Sequence, residues 1–290
     1  MQGAVTDPLA FALTSKVING EASCAVSRML ASGAGWRVVD VLCTSGPGDR
    51  PFEERYWSVA ISLVLAGTFS YRSAQGSTLM SPGTLLLGNV GSSYECSHEH
   101  GQGDRCLSFQ FDPGFFEDVA NDSNALAARF AHHRVPPLRE LAPLNARAAL
   151  ALNDRASFEE LAVELAGTVL RLSSGVRDER PSSARDRARV AAILQHLETN
   201  VAEPQNLEAL AQMAGLSRYH FLRSFRAVTG VTPHQWLLRA RLREAACRLV
   251  RDEAPVTEIA LDVGFEDLSN FIRSFHSEFG IAPGKYRANA

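Results

Sequence analysis

The sequence predicts an α+β protein: a small β-barrel followed by helices, then an all-α unit with two helix-turn-helix motifs. Three observations carry this reading. Residues 36–111 are short runs rich in β-branched, aromatic and leucine residues, punctuated by turn signals. Beyond Asp112 the apolar residues recur at helical spacing. One phrase, FLRSFRAVTGVTP at 221–233, returns as FIRSFHSEFGIAP at 271–283.

The bulk numbers set limits. A chain of 290 residues with 46% apolar content can build a core in each of two domains. The N-terminus lacks a basic start followed by an apolar run, so no secretory signal is expected. The longest apolar stretch, Val59 to Ala66, is interrupted by Ser62 and too short to span a bilayer, so no membrane association is expected. Five cysteines, an odd number without an export signal, favour reduced thiols and a cytoplasmic setting. Net charge is −3, while residues 185–290 hold 14 basic against 12 acidic residues, so charge alone decides nothing. Only Lys16 and Lys285 are lysines, and arginine suits bidentate contacts to guanine and phosphate.

The strands come first. WRVVDVLC (36–43), WSVAISLVLAG (57–67), TFSYRSA (68–74), STLM (77–80), TLLLGNV (84–90) and RCLSFQF (105–111) are separated by SGPGD, SAQGS and SPG. So many short strands in one stretch give a sandwich or small barrel over residues 1–112. Residues 113–174 then read as helical. Within them SFEE at 157–160 is a capping box, in which Ser157 and Glu160 each satisfy a free amide. Leu161, Leu165, Val169 and Leu172 follow as one stripe, to pack on its own barrel or on the same helix of a second subunit. A homodimer is expected on that basis. Residues 175–184, rich in Ser, Pro and charge, form a linker.

The repeated element occupies 185–290, with motifs at about 207–228 and 256–279. In the first copy Asn206 caps a helix with Leu207, Leu210, Ala211 and Ala214 on one face. Gly215 turns the chain, and Ser217 caps a second helix whose apolar face is Leu216, Phe221, Phe225 and Val228. The second copy uses Pro255, Ile259, Ala260, Val263, Gly264 and Asp267 in the same roles. Residues 233–250 between them form one long helix. Arg223 and Arg273 share a position between two core phenylalanines and should point outward. One exposed Arg presented twice on one unit fits insertion into two successive major grooves, about 34 Å apart.

These runs, LAQMAGLS…FLRSF…TGVTP and IALDVGFEDLSNFIRSFHSEFGIAPGKYR, resemble the DNA-binding domain of the AraC/XylS family of bacterial transcription regulators. The resemblance covers about a third of the chain. It implies double-stranded DNA as partner, RNA polymerase as a further one, and two units on one bent site. Carried over by position, the base-reading residues are Arg218, Tyr219, Leu222, Arg223 and Arg226 in the first unit, with Leu268, Ser269, Asn270 and Arg273 in the second. Leu222 would touch a thymine methyl. His220, Thr232 and Lys285 would contact phosphate or pack locally.

The first domain resembles the cupin-like barrel with which family members sense a ligand, through GSTLMSPGTLLLGN at 76–89. That implies a small-molecule or metal effector, and Trp36, Trp57, Phe69, Tyr71 and Phe109 are the candidate aromatic lining. YECSHEHGQGDRCLSF, 94–109, carries the densest chemistry. Cys96, His98 and His100 alternate, so a strand would place them on one side, and Cys106 would return on the partner strand. Together they offer ligands for Zn²⁺ or Cu⁺, with Cys43 as a further sulfur. Two other readings stay open: solvated His with Cys as small buried hydrophobes, and a thiol-based redox sensor. A metal-dependent cupin enzyme carrying a DNA-binding tail is the rival function. Against it, the His-x-His pair follows Pro82-Gly83, whereas metal-binding cupins place it before, and no His₂-carboxylate set is apparent.

Overall fold

The computed structural model describes residues 8–99, 101–123, 125–151, 158–173 and 182–289. Helix α1 (Pro8–Asn19) precedes strands β1 (Ala25–Gly33), β2 (Trp36–Cys43), β3 (Phe52–Arg55), β4 (Val59–Gly67), β5 (Phe69–Ser73), β6 (Gly76–Met80), β7 (Leu85–Gly88), β8 (Ser93–Ser97) and β9 (Asp104–Phe111). Helix α2 (Pro113–Asp122) and the short strand β10 (Arg134–Val135) follow. The expected barrel takes the form of two antiparallel sheets, ordered β1-β2-β9-β4-β7-β10 and β3-β8-β5-β6. Sequence periodicity does not mark β1 or β3. β1 is almost wholly exposed at a sheet edge, and β3, FEER, is mostly charged and lies at the edge of the other sheet.

Strand alternation gives the larger sheet two different faces. Val38, Ile61, Leu63, Leu107, Phe109 and Phe111 point to the helical side. There they meet α2, α3 (Ala142–Ala151) and α4 (Phe158–Ser173) in one core. Leu161, Leu165 and Val169 of α4 are buried in that core and Leu172 packs at its margin. The stripe therefore packs on the chain's own barrel. Each such side chain, once buried, contributes about 1.5–3 kcal/mol. The capping role of Ser157 and linker residues 175–181 fall outside the described residues.

The C-terminal part begins at Ser183, whose hydroxyl accepts from the Asp186 amide at 3.0 Å and caps α5 (Ala184–Thr199). Then come α6 (Leu207–Met213), α7 (Arg218–Thr229), α8 (Pro233–Arg251), α9 (Val256–Asp262), α10 (Leu268–Phe279) and α11 (Pro283–Ala288). One core gathers α5 to α7 and the start of α8 around Phe221, Phe225 and Trp236. A second gathers the end of α8 with α9 and α10 around Phe271, Phe275 and Phe279. Both recognition-type helices end on a left-handed glycine, Gly230 at φ +80° and Gly280 at φ +78°, which explains why the phrase repeats through its Gly.

Neither core is purely C-terminal. Leu79 of β6 sits in the first, and Ala142 and Ala146 of α3 in the second. Arg134, nearly fully buried, donates to the carbonyls of Leu79 at 3.0 Å and Val228 at 2.6 Å. The Trp236 indole donates to Ser81 Oγ at 3.4 Å, and Arg239 to the Pro137 carbonyl at 2.6 Å.

Candidate nucleic-acid interface and sandwich cavity

Two local devices aim α7 and α10. Asn206 Oδ1 accepts from the Ala209 amide at 2.8 Å and Ser217 Oγ from the His220 amide at 3.5 Å, starting α6 and α7. Asp267 accepts from the amides of Ser269 and Asn270, both at 3.0 Å, starting α10. With the caps fixed, Phe221 and Phe225 turn inward in α7, and Phe271 and Phe275 in α10. The opposite faces are left to solvent. Arg218, Tyr219, His220, Arg223 and Arg226 are exposed on the first unit; Ser269, Asn270 and Arg273 are exposed on the second.

Several expected contacts change character. Leu222 is half-buried. Leu268 is half-buried and packs against the second core from the first turn of α10. The Thr232 hydroxyl accepts from the Gln235 backbone amide at 3.2 Å while the Thr232 backbone amide donates to Gln235 Oε1 at 3.0 Å, a capping box that holds α8. Arg218 lies 3.9 Å from Glu208, both well exposed, an ion pair worth little in water. Lys285 is exposed on α11. His276 and Ser277 also face solvent on α10, on the side of Asn270 and Arg273. His276 stands 50 residues after Arg226, and that offset was the signal that would have found it.

The other site is a cavity of about 560 Å³ between the two sheets. Trp57, Phe69, Tyr56 and Tyr94 line it, with Tyr56 and Tyr94 stacked at 4.4 Å. Trp36 and Phe109, expected in the lining, lie in the helix-covered core instead, because their strands turn them to the other face. Tyr71 is buried in the smaller core between the sheets. Its phenol is pushed up to about 12, chiefly by burial.

Cys96, His98 and Cys106 all border this cavity, as the alternation implied, while His100 lies outside the described residues. The route differs from the expected hairpin. β8 pairs with β3 and β5 in the four-stranded sheet, and β9 with β2 and β4 in the larger one, so Cys96 and Cys106 approach across the sandwich. Two further groups join them. Cys43, Asp104 and His98 place a sulfur, a carboxylate oxygen and a ring nitrogen within 4.8 Å of one another, all buried. His98 Nε2 lies 3.2 Å from Asp104 Oδ2, and the Cys106 thiol donates to Asp104 Oδ1 at 3.7 Å. Burial, then the Asp104 charge, pushes the Cys96 and Cys106 thiols well above the ordinary range. Such thiols are poor nucleophiles, which weighs against the redox reading.

Residues 47–217 match the family described as AraC-like ligand binding domain, and residues 210–289 the one described as helix-turn-helix domain. The chain belongs to the AraC/XylS family of transcription regulators. Relatives include the RCS-specific activator RclR of Escherichia coli K12, 38% identical over 99 residues, which are 34% of this chain and 35% of RclR. The regulatory protein SoxS of Salmonella typhimurium is 31% identical over 98 residues, 34% of this chain and 92% of SoxS. A solved DNA-binding domain of AdpA in complex with a target DNA is 32% identical, covering 35% of this chain and 91% of that one, with a TM-score of 0.34.

As an AraC/XylS regulator the chain thus carries the helix-turn-helix pair and the sandwich in one body. Among the described residues no helix is long and apolar enough to cross a membrane.

Proposed function

We infer that this regulator reads two adjacent stretches of duplex DNA with α7 and α10, and that occupancy of the sandwich cavity changes how tightly it does so. The observation that carries the reading is the equivalence of Arg223 and Arg273. Both are exposed, each on a capped helix whose Phe pair is buried, on one unit spanned by α8. Arg218, Tyr219, Arg223, Arg226, Ser269, Asn270 and Arg273 would meet base edges, and His220 and Lys285 phosphates. RNA polymerase and a second copy of the chain are the protein partners of this reading, in the cytoplasm, and no reaction is assigned to it.

Selection of binders from random duplex DNA by the full-length chain, followed by footprinting, tests it. Two short protected blocks about one helical turn apart are expected. Binding that is weak, unselective and abolished by moderate salt would sink it.

A further inference from the structure

We propose that Cys43, His98 and Asp104 form a binding site for one thiophilic divalent cation, Zn²⁺ in chemistry, and that this ion is the signal coupled to DNA binding. The coupling half of the proposal rests on the regulator reading above; the site itself does not.

The donor set comes first. One thiolate, one imidazole and one carboxylate is a borderline-soft combination that suits Zn²⁺ and would hold Ca²⁺ or Mg²⁺ poorly. Their ligand atoms lie within 4.8 Å of one another, and His98 Nε2 to Asp104 Oδ2 is 3.2 Å. Donors of a tetrahedral zinc centre sit roughly 3.3–3.6 Å apart, so side-chain rotation of about 1 Å closes the set. Three protein donors leave a fourth position, and all three residues line the cavity that Cys106 and Cys96 also border.

Burial is the second observation. Cys43, His98 and Asp104 are each no more than 6% exposed. The Asp104 carboxylate has the His98 ring nitrogen and the Cys106 thiol as hydrogen-bond neighbours, and a bound cation would be paired with it out of water.

The backbone makes the arrangement rigid on one side only. Cys43 and Asp104 are register partners in β2 and β9, so their spacing is fixed by the larger sheet. His98 arrives from the end of β8 in the smaller sheet. An ion held by all three would clamp the two sheets together at this end. That end abuts the DNA-binding unit. Asp104 pairs in register with Gly67, the adjacent Thr68 donates to Glu198 of α5 at 3.2 Å, and Gly101 lies against Gln195 of the same helix. Drawing His98 toward Cys43 and Asp104 would pull on the start of strand β9 and on Gly101, which lies against α5, and α5 packs on α7 in the first reading unit.

The test uses the full-length chain, freed of metal by chelation under reducing conditions. Zn²⁺ is titrated against a chromophoric chelator, and Co²⁺ serves as a spectroscopic probe. Expected are one equivalent per chain and a cobalt spectrum with thiolate charge-transfer and tetrahedral bands. Cys43→Ser and His98→Gln should each weaken Zn²⁺ by at least about 100-fold, and Cys247→Ser not at all. Should Cys43→Ser fold poorly by circular dichroism, Asp104→Asn gives the same reading with a loss of at least about tenfold. No stoichiometric uptake by the folded chain, or unchanged affinity in these variants, overturns the site. Binding to the selected duplex is then compared with and without Zn²⁺. A shift of about fivefold or more that disappears in His98→Gln is expected, and equal affinity in both states overturns the coupling. Absence of any selective duplex binding, with zinc uptake intact, would refute the base-reading proposal and leave the metal site standing.

Discussion

The guanidinium of Arg241 donates to the carbonyl oxygens of Gly264 and Val201, each at 2.8 Å. Gly264 is the turn of the second helix-turn-helix unit, and Val201 follows α5 in the first, so one side chain on α8 ties the two units together. A further bond reaches the Glu203 carbonyl at 2.9 Å. Arg241→Met keeps the aliphatic stem and removes the ties. It should lower selective DNA affinity by roughly tenfold while each block of the footprint stays recognisable, since charged hydrogen bonds of this kind contribute about 1.5–3 kcal/mol. Unchanged affinity by fluorescence anisotropy would show that the units need no tie.

Arg223→Ala and Arg273→Ala should each cost about 1–3 kcal/mol of selective binding and relax preference at one base position. Competition with single-base variants of the selected site reads both effects. His276→Ala should act in the same block as Arg273→Ala. If it weakens binding equally on every sequence, it touches phosphate instead.

Phe225 and Phe275 are fully buried at equivalent places in the two small cores. Phe225→Ala should destabilise the chain by about 3–5 kcal/mol through lost burial and the cavity left behind. Denaturant titration of the variant measures this, and a loss below about 1 kcal/mol would mean that the first core collapses to fill the gap.

Glu198 supplies a pH dependence. Burial raises its carboxyl to about 7, opposed by the Thr68 hydroxyl and Arg243. The folded chain therefore holds this proton more tightly than the unfolded chain, whose carboxyl titrates near 4.5. The stabilisation is complete below pH 4.5, is lost as pH rises through about 7, and changes no further above that. Glu198→Gln mimics the protonated form at every pH. Its melting temperature should match the parent near pH 5 and exceed it at pH 8. A constant difference across that range would remove Glu198 as the titrating group.

What could be read from sequence was what local chemistry determines. Asn206, Ser217 and Asp267 announce their helices because a cap acts on amides two or three residues away. The Phe faces follow from the helical repeat. The cavity could not be read this way. Which alternate residues of β2 and β9 face it depends on which side of the sheet the helices cover, and the helices cover the side that carries Trp36 and Phe109. The approach of Cys43 to Asp104 is a matter of register between distant strands. Cys96 and Cys106 border one cavity from different sheets, and no hairpin joins their strands.

The seating of Leu79 in the first reading core, and of Ala142 and Ala146 in the second, bears on how the protein comes apart. A shared interior has no clean plane of cleavage. Cutting the chain near residue 182 strips both reading units of neighbours and bares the apolar seats those side chains fill. Heat should accordingly unfold sandwich and helices in one calorimetric transition, with each half lending the other cooperativity that a beads-on-a-string protein lacks.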